Sequence, residues 1–151
     1  MKYTSEIVIN ASLEDVVGKM NSADNMKHWQ KGLVHVEHIS GIPGTFGAKM
    51  KLHYDFGNRK MVLLETITKQ NLPHEIHTTY NTKGVQNIQQ NYFESLDATT
   101  TKWTSVNEFQ PTSFFMRAML LLMPKSFKKQ TAQYMYDFKN FVENDISVCD
   151  D

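Results

Sequence analysis

The order of local structure along this chain predicts an α+β fold, a seven-stranded curved antiparallel sheet around a long C-terminal helix. Three observations carry that reading. One β-type segment and two short helical ones open the chain, six alternating β-type segments follow with short turns between them, and the last third repeats its apolar residues at helical spacing. A curved sheet that grips a helix cannot fill its own concave side. The expected consequence is an internal cavity for a small apolar molecule.

Residues 3–10 end in the β-rich run Ile7-Val8-Ile9. Ser12 then suits an N-cap, Glu14 and Asp15 suit a first helical turn, and Val16, Val17 and Met20 form the apolar stripe. A second short helix begins near Ser22, carries Met26 and Trp29, and stops at Gly32. Such short helices are unstable alone and must lie against the sheet. Strands are expected at about 33–40, 46–56, 59–69, 74–81, 85–96 and 101–110. Gly41-Ile42-Pro43-Gly44, Gly57-Asn58, Asn71-Leu72-Pro73, Lys83-Gly84 and Asp97-Ala98-Thr99-Thr100 separate them as turns, so the sheet should be an antiparallel meander. Pro111 ends the last strand and Thr112 or Ser113 caps a helix from Phe114 to Met123, which Pro124 kinks or breaks. Beyond it, Phe127, Thr131, Tyr134, Met135, Phe138, Phe141 and Val142 share one face, with Lys128, Lys129, Asp137, Lys139 and Asn140 on the other.

The length of 151 residues suits one domain with a substantial core, here 1–146, followed by a polar tail at 147–151. Sixteen basic and sixteen acidic residues balance, which argues against a nucleic-acid partner. The lone Cys149 cannot form an internal disulfide, so a reducing, cytoplasmic setting is expected. Residues 1–6 are polar and unlike a signal peptide, and the longest apolar run, Phe114 to Pro124, is too short to span a bilayer of ~30 Å. Nine methionines, nine Phe, six Tyr and two Trp fit ordinary core filling first, and a cavity of adaptable shape second. The sequence leaves monomer and homodimer open.

The turns fix an expected register, because a one-residue slip inverts every side chain. With Gly57-Asn58 as a two-residue turn, Tyr54 opposes Met61, Leu52 opposes Leu63 and Met50 opposes Glu65, all inward. With 97–100 as the last turn, Leu96 pairs with Thr101, Glu94 opposes Trp103, Tyr92 opposes Ser105, Gln90 opposes Asn107 and Ile88 opposes Phe109, leaving Asn87, Gln89 and Asn91 on a solvent face. Pairing Lys69 with His74 places Ile76, Thr78 and Tyr80 inward. Trp29, Phe115, Met119, Tyr134, Met135 and Phe138 complete the expected ligand-lining set. Its isolated polar members, Glu65, Thr78, Gln90, Ser105 and Asn107, suit a pocket that orients a ligand; they also suit hydrogen bonding to one another or to buried water.

These residues carry a resemblance. Ile7-Val8-Ile9-Asn10-Ala11-Ser12-Leu13-Glu14-Asp15-Val16 is similar to the opening strand and helix of the START/Bet v 1-like superfamily, also called SRPBCC or polyketide cyclase/dehydrase-like proteins. Trp29 before Gly32-Leu33-Val34-His35-Val36, Gly44-Thr45-Phe46-Gly47, Leu72-Pro73 and the Leu120 to Glu143 segment extend it over nearly the whole chain. Leu13 stands where an early helix proline is common, and Val17 where an aromatic is usual. The resemblance implies a helix-grip fold and binding of lipids, sterols, polyketides or other hydrophobic molecules. It further implies that some members are cyclases or hydrolases and that others act in chaperone regulation, so a carrier, an enzyme and a cochaperone-like interaction module all stand as readings.

No specific catalytic or cofactor signature adds to this. His35/His38 and His74/His77 are spaced i, i+3, which on a strand sends the rings to opposite faces, so no metal site is expected. No phosphate-binding glycine loop or nucleophile elbow is present, no cofactor is implied, and Cys149 sits among acidic residues that disfavour its thiolate. Glu65 is the one acid/base candidate. An inward carboxyl among Met50, Met61 and Leu63 should have a raised pKa, whether it acts in catalysis or merely pairs with Tyr80. In an enzyme it would work with Tyr54, Tyr80 or Tyr92. The stretch Phe114 to Met123 is apolar nearly all round, as in a buried helix, a lid, a dimer contact or a surface that touches a membrane transiently.

Overall fold

The computed structural model describes residues 1–149. Strand β1 (Lys2–Ile9) leads into α1 (Leu13–Met20), whose N-terminus is capped by Ser12 Oγ accepting from Asp15 N at 3.1 Å. The second short helix is a single 3-10 stretch, Ala23–His28. Strands β2 (Leu33–Ser40), β3 (Lys49–Asp55), β4 (Lys60–Asn71), β5 (Glu75–Thr82), β6 (Val85–Asp97) and β7 (Thr100–Pro111) form a meander, and β1 closes it on β7. The sheet order is β1-β7-β6-β5-β4-β3-β2, antiparallel at every step. This is the seven-stranded helix-grip architecture expected from the sequence.

The terminal helical region is two helices. Helix α2 (Phe114–Leu122) is capped by Ser113, and α3 (Pro124–Asn144) starts with Pro124 in its first turn. Between them Met123 leaves helical geometry (φ −130°, ψ 49°), so the proline breaks the helix rather than kinking it.

Helix α3 lies over the β1 side of the concave face. Tyr3 on β1 bonds Thr131 Oγ1 at 2.7 Å and donates to Phe127 O at 3.1 Å, and Phe109 packs its ring on Phe127. Further along, Met135, Phe138 and Phe141 join Ile9, Val16, Val17, Trp29, Phe93 and Trp103 in one buried cluster. A second cluster covers the other half of the sheet, built from Met26, Leu33, Leu52 and Tyr54 with Val36, Met50, Met61, Leu63 and Tyr80 packed around them. The tail is partly tied down, since Val148 N donates to His28 O and His28 Nδ1 bonds Ser147 Oγ. Asp150 and Asp151, part of the expected tail, lie outside the described residues.

Two register expectations meet different fates. At β3–β4, Phe56 N donates to Arg59 O around Gly57-Asn58, and Met50↔Glu65, Leu52↔Leu63 and Tyr54↔Met61 pair as expected. At β4–β5, Asn71 pairs with Glu75, and an irregularity between Ile67 and Lys69 brings Glu65 opposite Tyr80 and Ile67 opposite Thr78. The expected pairing of Lys69 with His74 is replaced by Lys69 with His77, but past the irregularity the displacement is even, so Thr78 and Tyr80, and Ile76 on the same face of β5, stay inward.

At β6–β7 the displacement is odd. The turn closes with Asp97 opposite Thr100, as expected, and Thr99 N donates to Asp97 Oδ1 at 2.9 Å. Leu96 is then an extra residue, because Ser95 pairs with Thr101. Every β6 side chain beyond this bulge is inverted relative to the sequence reading. Ile88, Gln90 and Tyr92 point to the convex face, whereas Asn87, Gln89, Asn91 and Phe93 sit opposite Phe109, Asn107, Ser105 and Trp103 on the concave one. Ile88 and Gln90 line a small outer depression with Lys2, Val106 and Glu108, and Tyr92 packs edge-on against His77.

Candidate functional site

The concave face is apolar at both flanks and polar in the middle. The polar wall comes from β6 and β7. Trp103 Nε1 donates to Asn91 Oδ1 at 2.9 Å, Asn91 Nδ2 to Gln89 Oε1 at 3.1 Å, Gln89 Nε2 to Asn107 Oδ1 at 3.0 Å, and Asn107 Nδ2 to Ser105 Oγ at 3.0 Å. Asn87 Nδ2 reaches the same Asn107 oxygen at 3.3 Å. A chain of amides on one sheet face is stable in the interior because each member satisfies the next. Ser5 Oγ and Trp29 Nε1 are buried beside this interior without a side-chain or backbone partner.

The second polar group stands across β4 and β5. Glu65 is 5% exposed, and burial pushes its carboxyl up to about 7, with a hydrogen bond from Tyr80 pulling the other way. The Tyr80 hydroxyl lies deep although its ring is part-exposed, and burial followed by the Glu65 charge raises its phenol well above the usual value. Tyr54 is raised likewise, first by burial and then by Tyr134 and Glu65, and its hydroxyl donates to Gln30 Oε1. Thr78 Oγ1 is buried without a hydrogen bond of good geometry, with the Tyr80 hydroxyl close by. Glu65, Tyr80, Tyr54 and Gln30 thus form one connected group reaching from the sheet to the short helical stretch.

Of the residues expected to line a site, the structure brings Met50, Leu52, Tyr54, Met61, Leu63, Glu65, Thr78 and Tyr80 to one half of the concave face. Trp29, Trp103, Tyr134, Met135 and Phe138 lie on the other half. Ser105 and Asn107 belong to the polar wall, and Phe109 extends β7 toward Phe127. Ile88, Gln90 and Tyr92 are excluded by the bulge. Phe115 is turned out to solvent, because α2 directs Met116 toward the β5–β6 turn and buries Leu120, and Met119 lies half-buried between these faces. Gln30, Asn87, Gln89 and Asn91 were missed. No local signal marked the last three, because the turn closes as expected and the extra Leu96 beside it inverts the strand.

Two concavities lie along the sheet. The larger, about 320 Å³, opens at the sheet edge between Val34, His35, His53, Asp55, Lys60 and Val62, with Tyr54 and Met61 as its inner wall. The smaller is the outer depression at Ile88. Between the sheet and α3 the concave face carries the two side-chain clusters. Among the described residues, no group of three or more His, Cys, Asp or Glu could hold a metal ion, and no helix is long and apolar enough to cross a membrane.

No family model matches the chain, and no curated protein matches it in sequence. Solved structures do match in shape. A conserved protein from Geobacillus kaustophilus superposes with a TM-score of 0.80 at 13% identity over 94% of this chain and 95% of that one. Truncated norcoclaurine synthase from Thalictrum flavum gives 0.74 at 13% identity over 95% and 94%. Ara h 8.0201 gives 0.70 at 10% identity over 94% and 97%. At such identities the likeness speaks for architecture alone. Two sheet-flanking core clusters, a polar wall between them, a seven-strand meander and a terminal helix laid across its concave side together make this the helix-grip fold of the Bet v 1-like proteins.

Proposed function

We propose that the chain binds a small hydrophobic molecule with one polar end, held in the seam between the sheet and α3. The observation that carries this reading is the division of the core. A domain of this size ordinarily builds one contiguous core. Here α3 covers the β1 side, while Met50, Met61, Leu63 and Tyr80 on the far side remain only half-buried. Unbranched methionines can shift to admit a ligand, and the Trp29 indole N–H offers a buried donor for its polar end. Burial of ~250 Å² of apolar ligand contributes roughly 6 kcal/mol before association costs, so micromolar or weaker affinity is expected without specific hydrogen bonds. Fluorescence titration with an environment-sensitive fatty acid tests this. Saturable binding that Leu63→Trp blocks is the expected result, and absence of saturable binding up to ~100 μM probe removes the reading.

One observation favours a second reading, an enzyme of the cyclase or hydrolase type. A carboxyl with a pKa of about 7, hydrogen-bonded to Tyr80 and charge-coupled to Tyr54, has the properties of a general acid or base near neutrality. Norcoclaurine synthase, an enzyme of this fold, has been solved with dopamine and hydroxybenzaldehyde. Turnover of a bound ligand that Glu65→Gln abolishes without loss of binding would establish this role; binding without turnover leaves Glu65 a buried polar group.

A further inference from the structure

We propose that the outward face of α2 docks the protein onto an anionic membrane surface. On a helical wheel, Phe114, Phe115, Leu121 and Leu122 fall within one half of α2, with Arg117 at its edge and Met116 and Leu120 opposite. The structure leaves that half bare, with exposures of 86% for Phe114, 68% for Phe115, 77% for Leu121 and 79% for Leu122. At ~200 Å² per aromatic ring, the two phenylalanines alone present about 300 Å², already the size of the largest patch on many monomers before the leucines are added.

Charge selects the occupant. Between Glu108 and Asp137 the chain carries Arg117, Lys125, Lys128 and Lys129 and no acidic residue, although the whole chain is neutral. The three lysines are exposed and recur at i, i+3 and i+4 on the first turns of α3, directly after the bare helix. Apolar side chains flanked by cations match an acyl layer beneath anionic headgroups. A second copy of the chain fits worse. It would bring the same cations together, and the face falls well short of the ~800 Å² per partner that a stable dimer buries.

The position of α2 is held from beneath. Thr112 N donates to Gly84 O at 2.8 Å, and Gly84 approaches Ser113 and Met116 so closely that a Cβ there would lie within 3 Å of both. The helix therefore rests on the β5–β6 turn with its bare face outward. The antiparallel order puts that turn at the same end of the sheet as the β3–β4 turn with Phe56.

The test is co-sedimentation of the full chain with vesicles of equal parts phosphatidylcholine and phosphatidylserine, with pure phosphatidylcholine as control. Binding to the mixed vesicles, weaker on the control and weakened by salt, is expected. The double variant Phe115→Asp/Leu122→Asp should stay in the supernatant. Lys125→Gln, Lys128→Gln and Lys129→Gln should each lower partitioning about fivefold. Circular dichroism checks that each variant is folded, and the lysine variants decide the matter if the double variant is not. Wild-type protein that remains in the supernatant, or lysine variants that bind like wild type, overturn the proposal. So does a lipid-free dimer that Phe115→Asp/Leu122→Asp dissociates, since the face is then a protein interface. Fatty-acid binding in solution is read separately, because the substituted side chains point away from the seam.

Discussion

Trp103 Nε1 donates to Asn91 Oδ1 at 2.9 Å, joining the aromatic core cluster to the amide chain on β6 and β7. The contact exists because both side chains occupy the concave face, which the bulge at Leu96 brings about. Asn91→Leu should cost about 1–3 kcal/mol, since it strands a buried indole N–H and one end of Gln89. Adding Trp103→Phe removes the stranded donor, so the double variant should lose less than the sum of the singles. Urea unfolding of the four proteins measures the coupling, and simple additivity would contradict the bond.

Glu65 makes stability depend on pH in a direction opposite to most carboxylates. Its folded pKa of about 7 lies above the ordinary 4.5, so the folded state holds the proton more tightly than the unfolded chain. The stabilisation is full below about 4.5, declines as pH rises, and is gone above about 7, a change of roughly 3 kcal/mol. Glu65→Gln should remove that decline, which denaturant unfolding across the window will show. Equal pH slopes for the two proteins would place the carboxyl in water.

Phe138 is fully buried and stacks edge-on with both Trp29 and Trp103. Phe138→Ala should cost about 3–5 kcal/mol, much of the stability of a domain this size. Chemical denaturation checks it, and a loss under ~1 kcal/mol would mean that α3 does not anchor the core.

Two glycines should respond oppositely to alanine. Gly84 has φ +88° and no room for a Cβ, so Gly84→Ala should destabilise by more than ~1 kcal/mol and loosen the seat of α2. Gly18 lies inside α1 with nothing within 4 Å of its Cβ position, so Gly18→Ala should stabilise by about 0.5–1 kcal/mol. Thermal unfolding of the pair compares them directly.

The sequence by itself determined the element order, the meander, the Ser12 cap, a helix interruption at Pro124 with its cap at Thr112 or Ser113, and the facing of β3, β4 and β5. Each rests on short-range chemistry, whether hydroxyls that cap helices, a proline that lacks an N–H, or a Gly57-Asn58 turn that fixes its hairpin. Only the tertiary structure decided which face of β6 points inward. A single unpaired residue, Leu96, inverts a whole strand, and whether a bulge forms depends on neighbours far along the chain. Asn91 faces in because its amide meets Trp103 and Gln89 there, and Phe93 because it stacks on Trp103. The outward turn of Phe115 has the same origin. An all-apolar helix carries no periodic signal of which side to bury, so the close approach of Gly84 to Ser113 and Met116 makes the choice.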